Sequence, residues 1–316
     1  MTTKAVNAKP LKPVRSKEKV RWALYIMLIP GIIITAIYSY GPLAGLGIAF
    51  QRYNLTKGLF GSPWVGLDNF RYIFGMMDFS RALKNTLIIA ICKMVVGMFV
   101  PIAVAILLNE LRKVGYKRTI QTIIYLPHFI SWVILAGIFR DMLSTSKSSP
   151  GVINVMMDAL GLGRISLGDR TAFPIIMVVT DVWKGFGFGT ILYLAALSGI
   201  DPSLYEAAAI DGANRWHRMI HITLPGLVSI IVLNATLSLG NVLNAGFDQV
   251  VNMYSPAVYA TGDILDTLVY RVGLVSIGIP QYDIATAIGL FKSVVSAFLI
   301  STAYFFAYKF ADYRIF

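Results

Sequence analysis

Long, almost unbroken apolar runs alternate with short polar stretches along this chain. The runs fall near residues 22–50, 85–108, 121–139, 172–199, 222–247 and 284–308. About 20 residues of helix cross a bilayer core, and in hydrocarbon a helix is one of the few structures that satisfies all its own backbone groups. The pattern therefore predicts an all-α integral membrane protein, with six transmembrane helices forming one domain over 22–316. Pro101 and Pro174 lie inside or at the start of expected spans, where neighbouring helices re-satisfy the freed carbonyls. No internal duplication is visible.

The polar stretches do more than turn the chain. Asp201 to Gly226 reads DPSLYEAAAIDGANRWHRMIHITLPG. Asp201-Pro202-Ser203 is helix-start chemistry, and Ser203 with Glu206 has capping-box spacing. Tyr205 to Ile210 then predicts a short helix, which Gly212 stops. On other stretches, Gly66-Leu67-Asp68-Asn69-Phe70 starts a short amphipathic piece, and residues 144–150 form a flexible linker before an interfacial helix at 151–162. In 262–274, Ile264, Leu265, Leu268, Val269 and Val272 recur at helical spacing. These pieces either cover the outer mouth of the bundle or dock an extracellular protein.

Composition agrees with the pattern. Hydrophobic residues make up 56% of the 316 and charged residues 14%, against about 25% in soluble domains. The net charge of +12 would suit nucleic acid in a soluble chain, but its distribution fits membrane orientation and calls for no nucleic-acid partner. With the N-terminus inside, inner segments hold fifteen Lys and Arg against ten outside, and residues 1–21 alone hold seven. That bias places both termini and the 201–226 loop in the cytoplasm. Residues 1–21 read as a basic, disordered, solvated tail. A signal peptide is the competing reading, but the following apolar run is long and no A-x-A cleavage site follows it. A single cysteine, Cys92, excludes an intrachain disulfide.

No dipeptide Gly-Lys occurs, so a phosphate-cradling G-x-x-x-x-G-K-[ST] loop is missing. Gly185-Phe186-Gly187-Phe188-Gly189 lies in a span and reads as close helix packing or backbone lining a path. His217 and His221 share a helix face, but Arg218 stands where a metalloprotease motif needs Glu. They read as surface histidines, and His128 as a hydrogen-bonded packing residue. The composition predicts no metal site and no catalytic constellation. Ionisable groups within spans usually face a protein interior or a water-filled route. Here they are Lys93, Asp181, Lys184 and Lys292. Lys93 and Lys292 lie near the outer ends of their spans, where snorkelling is an alternative. Asp181 and Lys184 share a face and can pair with each other. Asn234, Asn241 and Asn244 add a polar line in the expected fifth span, and amides with aromatic rings suit sugars.

The run Glu206-Ala207-Ala208, with Asp211-Gly212, Ile222, Leu224 and Pro225 beyond it, resembles the EAA signature of ABC-importer membrane subunits. Over nearly its whole length the chain is similar to the carbohydrate branch of these permeases, which is related to the maltose-transporter membrane subunits. It is most like their LplB-type polysaccharide and oligosaccharide group. Tyr40-Gly41-Pro42, Gly66 to Phe70 and Gly289-Leu290-Phe291-Lys292-Ser293 carry the likeness together with the loop.

The resemblance implies a type I ABC importer permease fold, with the EAA loop forming a cytoplasmic coupling helix. Glu206, Ala207, Ala208, Asp211, Gly212, Leu224 and Pro225 would then engage an ATPase. The implied partners are a homologous second permease, two cytoplasmic ATPases that use ATP-Mg, and an extracellular solute-binding lipoprotein. The chain itself binds no cofactor and carries no ATPase site. The implied site is the bacterial cytoplasmic membrane. Carried over by position, the sugar path falls on Lys184, Gly185 and Phe188. Asn241 and Asn244 match its downstream part with a one-residue shift, and Asp181 and Lys292 are further candidates. Positive charge at Lys184 suggests a uronate-containing oligosaccharide. The alternatives are an importer permease for another solute and an ion-coupled secondary transporter, for which an inverted repeat is the usual mark. A membrane-embedded enzyme would need a convergent His, Asp, Glu or Ser set in the spans.

Overall fold

A proline and a glycine set the shape of the first apolar run. In the computed structural model, which describes residues 22–111, 113–275 and 279–311, α1 (Trp22–Thr35) loosens into a π-turn over Ala36–Tyr40 and then tightens into a 3-10 segment, Gly41–Phe50. Pro42 removes a backbone donor there, so regular α-helix cannot continue. The expected basic tail over 1–21 and the last residues, 312–316, lie outside the described residues. The chain divides into two units, residues 1–46 and 47–316.

The second unit opens with α2 (Gly58–Gly61) and α3 (Asp68–Gly75). Gly66 has φ +62°, a left-handed turn that a side chain disfavours. It feeds α3, where buried Asn69 donates to Ala49 O and Gln51 O, both at 2.9 Å. The Gly66 to Phe70 motif thus has a structural explanation in tying α3 to the preceding segment.

The longest element, α4 (Met77–Asn109), runs unbroken through Pro101. Its 33 residues extend about 50 Å, well beyond the roughly 30 Å hydrocarbon core. It packs along α8 (Ala172–Ser198), the next uninterrupted span.

Between them the sequence predicts one span at 121–139, and the structure has two helices instead. α5 (Val114–Tyr125) continues as a 3-10 turn to Phe129, and α6 (Trp132–Met142) leaves at 99° to that axis. Pro127 lacks the donor that would carry the helix on. Ile130 is extended, and Ser131 starts α6 by accepting from Ile134 N. α7 (Val152–Ala159) then follows on a loop gathered by Asn154, which is fully buried and bonded to Leu143 O, Ser144 O and Ile165 O.

After α8 come α9 (Pro202–Ile210), α10 (Arg215–Arg218) and, through a π-turn at Met219–Thr223, α11 (Leu224–Gly240). The fifth apolar span is therefore Arg215–Gly240, displaced from the expected 222–247. It ends where Gly240 meets α15 (Tyr282–Ala311): a Cβ built at Gly240 would lie 2.6 Å from Ile300 Cδ1. Between them, α12 (Phe247–Met253), α13 (Tyr259–Gly262) and α14 (Leu265–Gly273) connect α11 to α15. Ile264, Leu265 and Leu268 are fully buried, so this helix is part of the core.

Five described helices are long and apolar enough to span a membrane, six if the bent α5–α6 pair counts as one. Three apolar clusters hold the second unit together. One joins α4, α6, α8 and the α11–α12 turn; one joins α3, α4, α14 and α15; the third joins α4, α8 and α11 around Tyr193 and Leu227.

Candidate functional site

Two places gather the polar residues of the spans and loops: the 201–226 loop, and a cavity between α4, α8 and α11.

The loop is built as a capped, stopped and anchored helix. Asp201 is the cap of α9, its Oδ1 accepting from Ser203 N at 2.9 Å, with Pro202 in the first turn. Ser203 and Glu206 do not form the expected capping box: Ser203 is already the second residue of α9, and the cap is Asp201, two residues earlier. The Ser203 N–H, and after it the Ser203 hydroxyl, hold the Asp201 carboxyl below its ordinary range. At the other end Gly212 has φ +76°, Ala213 N donates to Ala208 O at 2.8 Å, and Gly212 N donates to Ala209 O at 3.2 Å. This is a Schellman stop, which needs the left-handed residue that glycine supplies.

The next helix starts at once. Asn214 Oδ1 accepts from His217 N at 2.9 Å and also meets His217 Nδ1 at 2.9 Å. His217 and His221 stack 6.0 Å apart. Tyr205 Oη lies 3.0 Å from Thr223 Oγ1, tying α9 to the base of the fifth span. Gly226 sits under Ile200, whose Cδ1 would be 2.6 Å from an added Cβ. Arg215 reaches Glu110, at the end of α4, at 3.9 Å. Glu206, Ala207, Asp211 and Gly212 are exposed and Ala208 half-buried, while Ile210 is 86% exposed. Leu224 is half-buried and Pro225 exposed at the start of α11. A groove of about 440 Å³ runs between Ala208, Asp211 and Gly212 on one side and His217, Arg218 and His221 on the other.

The cavity, about 420 Å³, is lined by Lys93, Asp181, Asn234, Ser238, Asn241 and Asn244, among others. Lys93 does not snorkel. Its side chain is 9% exposed, its Nζ donates to Ala245 O at 2.8 Å and to Gln249 Oε1, and Asp181 Oδ1 lies 3.4 Å away. Gln249 in turn donates to Met177 O and Thr180 Oγ1. Three ammonium hydrogens thus meet three acceptors, which a buried cation requires. Gly246, with φ +92°, is where the turn passes the ammonium: a Cβ there would lie 2.8 Å from Lys93 Nζ. Sequence reasoning weighed Lys93 only as a lone cation. Its partners come from α8, from the α11–α12 turn and from α12, more than eighty residues away, and no local signal announces them.

Asp181 therefore pairs with Lys93, and the alternative Asp181–Lys184 pair is not formed. Lys184 turns to the α5–α6 break, donating to His128 O at 2.7 Å with Trp132 5.6 Å from its Nζ. Phe188 stacks on the His128 ring at 4.1 Å. Gly185 faces open space, whereas Gly187 and Gly189 pack closely: Cβ atoms there would lie 2.0 Å from Ile124 O and 3.1 Å from Pro101 Cγ. Lys184 and Phe188 thus contact the α5–α6 break, and neither they nor Gly185 line the cavity. Asn241 and Asn244 do line it, but from the turn that follows α11, not from a helix face. Asn234 remains in α11 and donates to Tyr193 Oη at 2.9 Å. Lys292 lies elsewhere again, paired with Asp266 at 2.5 Å across α15 and α14; like Lys93 it is held by a carboxylate and does not snorkel.

The profile of the family described as "Binding-protein-dependent transport system inner membrane component" matches residues 97–312. The chain is 43% identical to Protein LplB of Bacillus subtilis (strain 168) over 297 residues, covering 94% of this chain and 91% of that one. It is 38% identical to the polygalacturonan/rhamnogalacturonan transport system permease protein YteP of the same organism over 294 residues, covering 93% and 90%. A crystal structure of a bacterial ABC transporter involved in the import of the acidic polysaccharide alginate contains a chain with the same fold. The TM-score is 0.83 at 40% identity, covering 92% of this chain and 96% of that one. A second structure, of a bacterial alginate ABC transporter in complex with an alginate pentasaccharide-bound periplasmic protein, matches with a TM-score of 0.81 at 40% identity, covering 90% and 94%.

Proposed function

Because this chain belongs to the family of binding-protein-dependent transport system inner membrane components, we propose that it is one half of the translocation pathway of an ABC importer for acidic, uronate-containing oligosaccharides. ATP-Mg is used by two cytoplasmic ATPase subunits, and α9 is the part of this chain that they grip. A homologous second permease completes the path, an extracellular solute-binding lipoprotein delivers the sugar, and both termini face the cytoplasm.

The observation that carries the reading is the construction of the 201–226 loop. A nine-residue helix that is capped by Asp201, stopped by Gly212 and bonded through Tyr205 to the fifth span holds Glu206 and Ala207 outward on a stiff mount. Closure of the ATPases around Glu206 to Gly212 would displace α9 and, through Thr223, the base of α11. That is how a chain without a P-loop gains access to ATP energy.

The substrate class rests on the names of the relatives and on charge. Polygalacturonan and alginate are both polyuronates, and the proteins named for them are 38% and 40% identical to this chain. Lys184 meets a neutral carbonyl instead of a carboxylate, so its positive charge is available to an acidic sugar. The cavity presents amides and the neutralised Lys93–Asp181 pair, groups suited to hydroxyls.

One experiment tests both parts: uptake of oligogalacturonate and of a neutral galacto-oligosaccharide in cells carrying the wild type, Lys184→Gln or Glu206→Lys. Glu206→Lys should abolish uptake of either sugar, and Lys184→Gln should slow the uronate selectively. Unchanged uptake with Glu206→Lys overturns the coupling assignment. Equal effects of Lys184→Gln on both sugars overturn charge selection.

A further inference from the structure

The Met77 end of α4 carries a pocket that the proposed function does not use. With the hydrocarbon edge on the proposed coupling side set at Asn109, beside the Glu110–Arg215 contact, about 20 residues of helix would cross the hydrocarbon and reach Ile88 and Ile89. Lys84 is then one turn above the hydrocarbon edge and Arg81 nearly two, at headgroup depth in the leaflet opposite the coupling loop.

These two cations share a pocket of about 280 Å³ with Asn85, Ile88, Ile89, Pro174 and residues of α13. Its floor is fixed. Asn85 donates to Ala260 O and Asp263 O, and Thr261 Oγ1 donates to Arg170 O at 2.7 Å. Its cations are only weakly compensated. Lys84 is exposed and enters no ion pair among the described residues. Arg81 reaches Asp78 only at 4.0 Å, and Asp78 is also drawn to Arg271 at 3.5 Å. Directly below, Ile88, Ile91 and Val95 are 46%, 45% and 40% exposed at i, i+3 and i+7 on one face of α4. Two cations at headgroup depth above a continuous apolar stripe have the vertical polarity of a phospholipid, with phosphate on top and an acyl chain underneath.

We propose that this pocket binds one anionic phospholipid, its phosphate held by Arg81 and Lys84 and an acyl chain laid along Ile88, Ile91 and Val95. Cations near an anionic surface add binding roughly independently, so the pair makes the site selective for anionic over zwitterionic headgroups. Bound there, the lipid bridges α4, α8 and α13, the three elements that line the pocket. The inference is independent of which sugar the importer carries.

Native mass spectrometry of the purified full chain in neutral detergent tests it, with dioleoyl-phosphatidylglycerol or dioleoyl-phosphatidylcholine added. The wild type should retain one phosphatidylglycerol that Arg81→Gln/Lys84→Gln loses, with apparent affinity falling at least tenfold, and should show no such preference for phosphatidylcholine. Lys113→Gln/Lys117→Gln, at the opposite leaflet, should leave that lipid in place. Ile88→Trp, which fills the acyl track without altering charge, should also weaken retention and guards against misfolding of the double variant. Equal retention by wild type and the Arg81/Lys84 variant overturns the site, as does an equal loss in the opposite-leaflet control. Displacement of the lipid by trigalacturonate through the same two residues would make the pocket a substrate surface and overturn the lipid assignment.

Discussion

Tyr205 and Thr223 share a hydrogen bond of 3.0 Å that connects α9 to the first residues of the fifth span. Thr223 is buried, with its hydroxyl also facing Arg218 O at 3.4 Å inside the π-turn. Among the described residues the Tyr205–Thr223 bond is the one side-chain hydrogen bond between α9 and the π-turn, and the proposed coupling would run through it.

Tyr205→Phe keeps the ring and deletes this link, at a cost of about 1 kcal/mol. We expect ATPase association to persist while the sugar moved per ATP hydrolysed falls severalfold. The ratio of uptake to phosphate release in reconstituted vesicles measures it; an unchanged ratio removes Tyr205 from the coupling route.

The Schellman stop makes Gly212 demanding, whereas Gly185 in α8 faces open space and is tolerant. At φ +76° a β-branched side chain is strained by about 1–2 kcal/mol, so Gly212→Val should loosen the loop and reduce ATPase binding. Gly185→Ala meets open space and should fold and assemble as the wild type does. Gly187→Ala, with backbone 2.0 Å from the new carbon, should lower the yield of folded protein sharply. Detergent-solubilised yield and a pull-down of the ATPases separate the three.

Lys93→Met leaves Asp181 and the Gln249 carbonyl oxygen without their cation. Breaking a buried pair costs several kcal/mol; because Asp181 faces the cavity, with 36% of its side chain exposed, the loss should be on the order of 2 kcal/mol. Lys93→Met/Asp181→Asn should recover part of it. Thermal unfolding of the two variants checks the coupling. A double variant as unstable as the sum of the single ones would mean the pair contributes nothing.

The cap of α9 has a defined pH dependence. The Asp201 carboxyl is held below its ordinary value by Ser203 N–H, so the folded state binds the proton more weakly than the unfolded chain does. Its contribution is fully present above the unfolded value near 3.9 and is lost as pH falls through the lower folded value. Protection of the α9 amides from hydrogen exchange should therefore stay constant from neutral pH down to about 5 and weaken only in stronger acid. Asp201→Ala should show weakened protection at every pH.

The sequence alone determined the class of the protein and the position of α9. Apolar runs of about 20 residues leave a chain in lipid little choice but helix, and the signals that open and close α9 are local: Asp201 and Pro202 before it, Gly212 after it. Even there the sequence leaves the cap open between Asp201 and Ser203, because both offer an oxygen and only the folded turn selects Asp201. Tertiary structure decided everything that depended on distant partners. Pro127 turned one expected span into two helices at 99°, and Gly240, packed on Ile300, ended the fifth span before Asn241 and Asn244. Lys93 found Asp181, Gln249 and Ala245, separating Asp181 from Lys184. A buried charge in a membrane must be paired, and the pattern of a sequence says that a partner is needed without saying which one. The partner follows from how helices far apart in the chain pack together.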